Sequence, residues 1–112
     1  MHGKPGRHVP AFVLLELYKG DAYGLQILNA LENNLPHQVF DSAAIYRALN
    51  TLEQSGAVIS RWDNDTSGAS KKVYTLTETG KEALRDCHND MKMRLENMMV
   101  FMNTIESMGG IV

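Results

Sequence analysis

The 112-residue chain suffices for one domain and leaves little room for a second core. Its 44% hydrophobic and 21% charged residues are ordinary for a globular protein and exclude a disordered one, and no apolar run approaches the ~20 residues that a bilayer-spanning helix needs. The formal net charge of −2 argues against nucleic-acid binding unless the 11 Lys and Arg residues are gathered on one surface.

The N-terminal Met1-His2-Gly3-Lys4-Pro5-Gly6-Arg7 is positively charged. The apolar stretch over residues 9–17 is interrupted by Glu16 and lacks a small-residue cleavage site, so it reads as a core helix behind a basic tail, not as a signal peptide. A single cysteine, Cys87, excludes an internal disulfide framework and suits a reducing cytosol, so a cytoplasmic protein is expected. Pro10 stands where a first helical turn tolerates it, residues 11–18 continue that helix, and Gly20 closes it. The helix is apolar nearly all round and should be covered on more than one side, with a partner subunit supplying the second cover.

Asp21 is the expected N-cap of a second helix, on which Gly24, Ile27, Leu28 and Leu31 share one face before Asn33-Asn34-Leu35-Pro36 ends it. Asp41 or Ser42 caps a third helix, with Ile45, Leu49 and Leu52 as its buried stripe and Gly56 as a left-handed stop. Two β-prone runs, 58–62 and 72–76, flank the turn-rich Asp63-Asn64-Asp65-Thr66-Ser67-Gly68-Ala69-Ser70 and predict a hairpin. Thr77 caps the last helix, which should run to about Met108. At ~1.5 Å per residue it would be roughly 45 Å long, more than so small a domain can cover. The predicted fold is mainly α with a small β-hairpin: a winged helix-turn-helix followed by a long C-terminal helix. The expected division is a flexible basic tail over 1–9, the winged-helix domain over 10–76, expected to bind DNA, and a helix over 77–108 expected to dimerise.

On the third helix the core stripe leaves Ser42, Ala43, Tyr46, Arg47 and Asn50 facing outward near the N-terminal half. In helix-turn-helix proteins that half enters the major groove, where Arg donates twice to guanine and Asn pairs with adenine. Ser42 and Ala43 allow close approach, and the helix N-terminus favours a phosphate. The same residues also fit a plain solvated face. Lys71 and Lys72, with Arg61 on the opposing strand, place bases on the hairpin to neutralise phosphates, or to protect an edge strand from aggregation. Lys4 and Arg7 form a further basic group in a tail that could reach DNA. Six of the 13 acidic residues lie in the last helix against four of the 11 Lys and Arg residues, so the net negative charge belongs to an acidic stalk while the head is balanced.

Along that helix Leu84, Cys87, Met91, Leu95, Met98, Met102 and Ile105 step by three or four, a near-heptad seam that favours a second copy of itself over packing on the first helix alone. Methionine makes the seam adaptable. Enzymatic chemistry finds little support: the four histidines are scattered, there is no glycine-rich phosphate loop, and no Cys/His cluster has zinc spacing, so no cofactor or metal is expected. Cys87 reads as a small buried hydrophobe, and Trp62 as a structural residue packed on the hairpin or the tail.

Three blocks of this sequence resemble the PadR family of bacterial regulators. Ala22-Tyr23-Gly24-Leu25-Gln26-Ile27-Leu28 resembles its Tyr-Gly signature. Residues 42–56 resemble its recognition helix and stop, and Lys71-Lys72-Val73-Tyr74-Thr75-Leu76-Thr77-Glu78-Thr79-Gly80 resembles its second wing strand and Thr-x-x-Gly turn into the last helix. The resemblance covers about residues 10–85. It implies a homodimeric regulator, usually a repressor on a palindromic operator in double-stranded DNA, with C-terminal helices forming the dimer. It further implies that some members are released by an aromatic or other hydrophobic effector. Tyr46 takes the place of the family's recognition-helix tyrosine, and Lys71 and Lys72 its wing bases. Asn50 stands where many members carry a basic residue, and Gly68-Ala69-Ser70 replaces the commoner Gly-x-Pro. Residues 45–53 also resemble the recognition helix of Fur-like metal regulators, whose His- and Cys-rich sensor sites this chain cannot supply. A winged-helix protein–protein module without DNA binding is the other alternative.

Overall fold

The computed structural model describes residues 8–37, 40–64 and 70–112. The elements follow one another as α1 (Val9–Lys19), β1 (Ala22–Tyr23), α2 (Gly24–Asn34), α3 (Ser42–Gln54), β2 (Val58–Asn64), β3 (Ser70–Leu76) and α4 (Glu78–Ser107). The strands form one antiparallel sheet in the order β1-β3-β2. The expected hairpin is therefore present, and a third strand of two residues has joined it.

That third strand corrects the expected start of α2. Ala22 and Tyr23 pair with Tyr74 and Val73 of β3, which holds the chain extended for two residues beyond Asp21 and moves the N-cap to Tyr23. The Tyr23 N–H, left without a helical partner, donates to Gln26 Oε1 at 3.1 Å. At α3 the cap is Asp41, whose Oδ1 accepts from the Ala44 N–H at 3.0 Å. The helix ends in a Schellman motif: Ala57 N–H donates to Leu52 O at 2.9 Å and Gly56 N–H to Glu53 O at 3.1 Å, with Gly56 at φ +80. This turn aims the chain directly into β2.

The core lies where α1, α2 and α3 meet the sheet. Val13, Leu14, Ile27, Leu31, Ile45, Leu49 and Val58 are all essentially inaccessible, so the stripe predicted on α3 is the face that packs inward. The α1 helix is buried on most of its circumference; even Glu16 is only 9% exposed, its carboxylate met by Lys19 Nζ at 2.8 Å. A 30-residue α4 follows. Its beginning packs on the head through Ala83 and Leu84, and its remainder extends a molecule that measures 60 × 27 × 25 Å. Among the described residues, no helix is long and apolar enough to cross a membrane.

Candidate nucleic-acid interface

Packing of Ile45, Ala48, Leu49 and Leu52 inward leaves the opposite side of α3 open. Ser42, Ala43, Tyr46, Arg47 and Asn50 are all exposed, and they surround the N-terminal half of the helix. Tyr46 is fixed by a contact that spacing did not reveal. Its ring lies over Gly24 at the start of α2, so that a Cβ at Gly24 would stand 2.3 Å from Cε1 and 2.8 Å from the hydroxyl oxygen. Gly24 is buried beneath a ring that is itself 49% exposed. The phenol hydroxyl is thereby held near the first turn of α2, whose unsatisfied N–H groups favour an anion.

The wing bases divide. Lys71 and Lys72 are neighbours in β3, and a strand sends neighbours to opposite faces. Lys72 Nζ lies 3.2 Å from Glu53 Oε1 on α3 and 5.6 Å from the centre of the Tyr74 ring. Glu53 also accepts a hydrogen bond from the Ser60 hydroxyl. On the other face Lys71 Nζ sits 4.7 Å above the Tyr23 ring. Arg61, opposite Val73 in the ladder, directs Nη1 to Asp21 Oδ2 at 3.3 Å and to Thr75 Oγ1 at 3.2 Å. The carboxylate expected to cap α2 is thus an arginine partner instead. Ser60 and Lys72 tie the wing to α3 through one carboxylate, and the Ser60 hydroxyl foremost, then the Lys72 ammonium, hold Glu53 below its usual carboxylate range against the opposing effect of burial. Lys4 and Arg7 lie outside the described residues, as do Gly68 and Ala69.

Trp62 is 66% exposed, so of the two expected partners the hairpin does not cover it, and residues 1–7 of the tail lie outside the described residues. The seam on α4 also divides. Leu84 packs against the core cluster, and Cys87 and Met91 are half-buried where α4 passes α1. Together with Phe12, Leu15 and Tyr18 of α1 they line a groove of about 600 Å³, rimmed by Arg85 and His88. Burial, and secondarily Asp86 and Asp90, push the Cys87 thiol up, so it stays protonated at neutral pH. Beyond Met91, Leu95, Met98 and Met102 are each more than half exposed, and so are Met99, Val100 and Phe101, which lie off the seam. Ile105 is half-buried.

The element order, the buried stripe of α3 and the wing it adjoins define a winged helix-turn-helix protein. The model of the transcriptional regulator PadR-like family matches residues 13–86, and the chain belongs to that family, one of transcriptional regulators and not of enzymes. Among solved structures it is similar to a PadR family transcription regulator from Clostridium difficile (24% identity, 85% of this chain and 98% of that one, TM-score 0.74). It is also similar to a transcriptional regulator from Clostridium thermocellum (22% identity, 84% and 89% covered, TM-score 0.74). A third similar structure is Bacillus subtilis PadR in complex with operator DNA (30% identity, 73% of this chain and 47% of that one, TM-score 0.66). No curated protein matches the chain significantly in sequence.

Proposed function

We propose that this chain is a sequence-specific, DNA-binding repressor that acts in the cytoplasm as a homodimer on a palindromic operator. The observation that carries the reading is the outer side of α3: Ser42, Ala43, Tyr46, Arg47 and Asn50 are exposed together beside a capped helix N-terminus, on the element that other helix-turn-helix proteins insert into the major groove. Arg47 is the base reader, since it alone among them donates twice to guanine. Tyr46 binds a phosphate, and Lys71 supplies charge from the wing. Lys72 and Arg61 contribute to phosphate contact by exchanging their acidic partners, and Lys4 and Arg7 add to it from the tail. The similarity to a PadR that has been seen on operator DNA supports this reading.

Dimerisation is assigned to the distal half of α4. Leu95, Met98, Met99, Phe101 and Met102 leave too much apolar surface in water for a protomer alone. Leu84, Cys87 and Met91 then serve the packing of α4 on α1 first and the dimer second, and Ile105 closes the seam. The groove between α1 and α4 suits an aromatic or hydrophobic effector that shifts DNA affinity.

The test is Arg47→Ala on a duplex selected from a random library and on a scrambled duplex. A loss of ~1–3 kcal/mol confined to the selected sequence is expected; an equal loss on both would make Arg47 a phosphate contact. Selection that enriches no sequence would favour the second reading, a winged-helix protein–protein module, to which the neutralised Lys72 and Arg61 give some support.

A further inference from the structure

The wing carries the chain's single tryptophan, and neither the core nor the contacts assigned above use it. An indole is a large apolar surface to leave in water, yet Trp62 is 66% exposed. It stands directly opposite Lys72 in the β2–β3 ladder, so the two side chains leave the same face of the sheet. From that face Lys72 reaches Glu53 on α3. Glu53 follows Tyr46 and Asn50 at i+7 and i+3, the spacing of one helix side. A continuous surface therefore runs from Tyr46 along α3, crosses to the wing through the Glu53–Lys72 pair, and ends on the indole.

The charges along this path are already spoken for. Glu53 and Lys72 neutralise one another, and on the opposite face Arg61 is held by Asp21. What this end of the surface offers beyond that paired charge is an aromatic plane. A duplex engaged by α3 continues past the helix, and along its backbone the sugars present an apolar edge between the phosphates. Apolar side chains meet nucleic acid without exchanging charge when they wedge at base steps or stack on bases, and an indole laid on the sugar edge would exchange none either.

We infer that Trp62 packs against the deoxyribose edge of the duplex flanking the groove that α3 enters, an uncharged contact that sets how closely the wing rides on DNA. This rests on the DNA-binding reading given above.

Because Trp62 is the only tryptophan, intrinsic fluorescence reports the contact directly. The wild-type protein is titrated with a duplex selected from a random library while a mobility shift is followed in parallel. A change in emission that saturates with the shift is expected. Trp62→Ala should lose roughly fivefold or more in affinity, the scale of burying part of an indole's apolar surface. Its slope of log affinity against log salt should equal the wild type's, because no phosphate neutralisation is lost, and Trp62→Phe should recover most of the loss. An exposed side chain is a safe substitution, and matched thermal melts verify it. If wild-type protein shifts the duplex with unaltered emission, or Trp62→Ala binds like wild type, the inference falls and the DNA reading stands. A loss accompanied by a shallower salt slope would transfer the contact to Lys72 and also overturn it. If the wild-type protein shifts no duplex at all, both fall together.

Discussion

The backbone of Gly80 presses on the carbonyl of Ala57 so closely that a methyl group at Gly80 would sit 2.1 Å from that oxygen and 2.5 Å from Leu76 Cδ1. The same carbonyl accepts from the Thr77 N–H at 3.1 Å, the Thr77 hydroxyl donates to the neighbouring Gly56 carbonyl at 2.6 Å with Ala57 O 3.0 Å away, and Thr77 Oγ1 accepts from the Gly80 N–H at 3.1 Å. The Thr-x-x-Gly turn is thus a clamp between the end of α3 and the start of α4. It fixes the direction in which the long helix leaves the head.

Gly80→Ala should therefore destabilise the protein by about 1–3 kcal/mol, because the obstacle is backbone and must itself move. Denaturant midpoints of wild type and variant measure this. An unchanged midpoint would show that α4 is free to shift on the head.

Gly24 presents the opposite case. Its obstacle is the outer end of the Tyr46 ring, which can swing into solvent, and Gly24 is not among the glycines at positive φ, so its backbone accepts an alanine without strain. Gly24→Ala should leave stability nearly unchanged but displace the phenol. DNA affinity should then fall as far in Gly24→Ala as in Tyr46→Ala, and the double variant should be no worse than either, a non-additivity that marks one shared contact. Additive losses would show that the two residues act separately.

The Glu53–Ser60–Lys72 link predicts a pH dependence at both ends. The Glu53 carboxyl is lowered in the folded protein from its ordinary 4.5, so its contribution is present above that value and is lost as pH falls through the lowered one. The Lys72 ammonium is raised, first by its hydrogen bond to Glu53, so its contribution is present below the ordinary lysine value and is lost as pH climbs through the raised one. Glu53→Gln should lower the melting temperature most at neutral pH, with the difference from wild type shrinking toward acid. A difference independent of pH would mean that Glu53 acts by packing alone.

Met98→Glu with Met102→Glu tests the dimer. Both side chains are more than half exposed on the protomer, so the protomer fold should hold to within ~0.5 kcal/mol. Sedimentation should report monomers, and DNA binding should weaken. Dimers that persist unaltered would move the interface off this stretch of α4.

Much of this architecture is written locally in the chain. The three-four spacing of Ile45, Leu49 and Leu52, the caps at Thr77 and at Asp41 or Ser42, and the left-handed Gly56 each act within a few residues, so the sequence alone determines the helices, their order and which side of α3 faces out. Strand periodicity even separates Lys71 from Lys72, a consequence that their shared charge obscured. The tertiary structure decided the rest. A two-residue strand at Ala22–Tyr23 has too few residues for a period and exists because β3 offers an edge, which in turn frees Asp21 for Arg61. The contact of Tyr46 with Gly24, the sharing of Glu53 between Ser60 and Lys72, and the exposure of Trp62 join residues far apart in the chain, or depend on what fails to pack. The long helix was legible as a seam, but where that seam passes from α1 to open water is set by the reach of the head, a distance that no spacing of residues along α4 encodes.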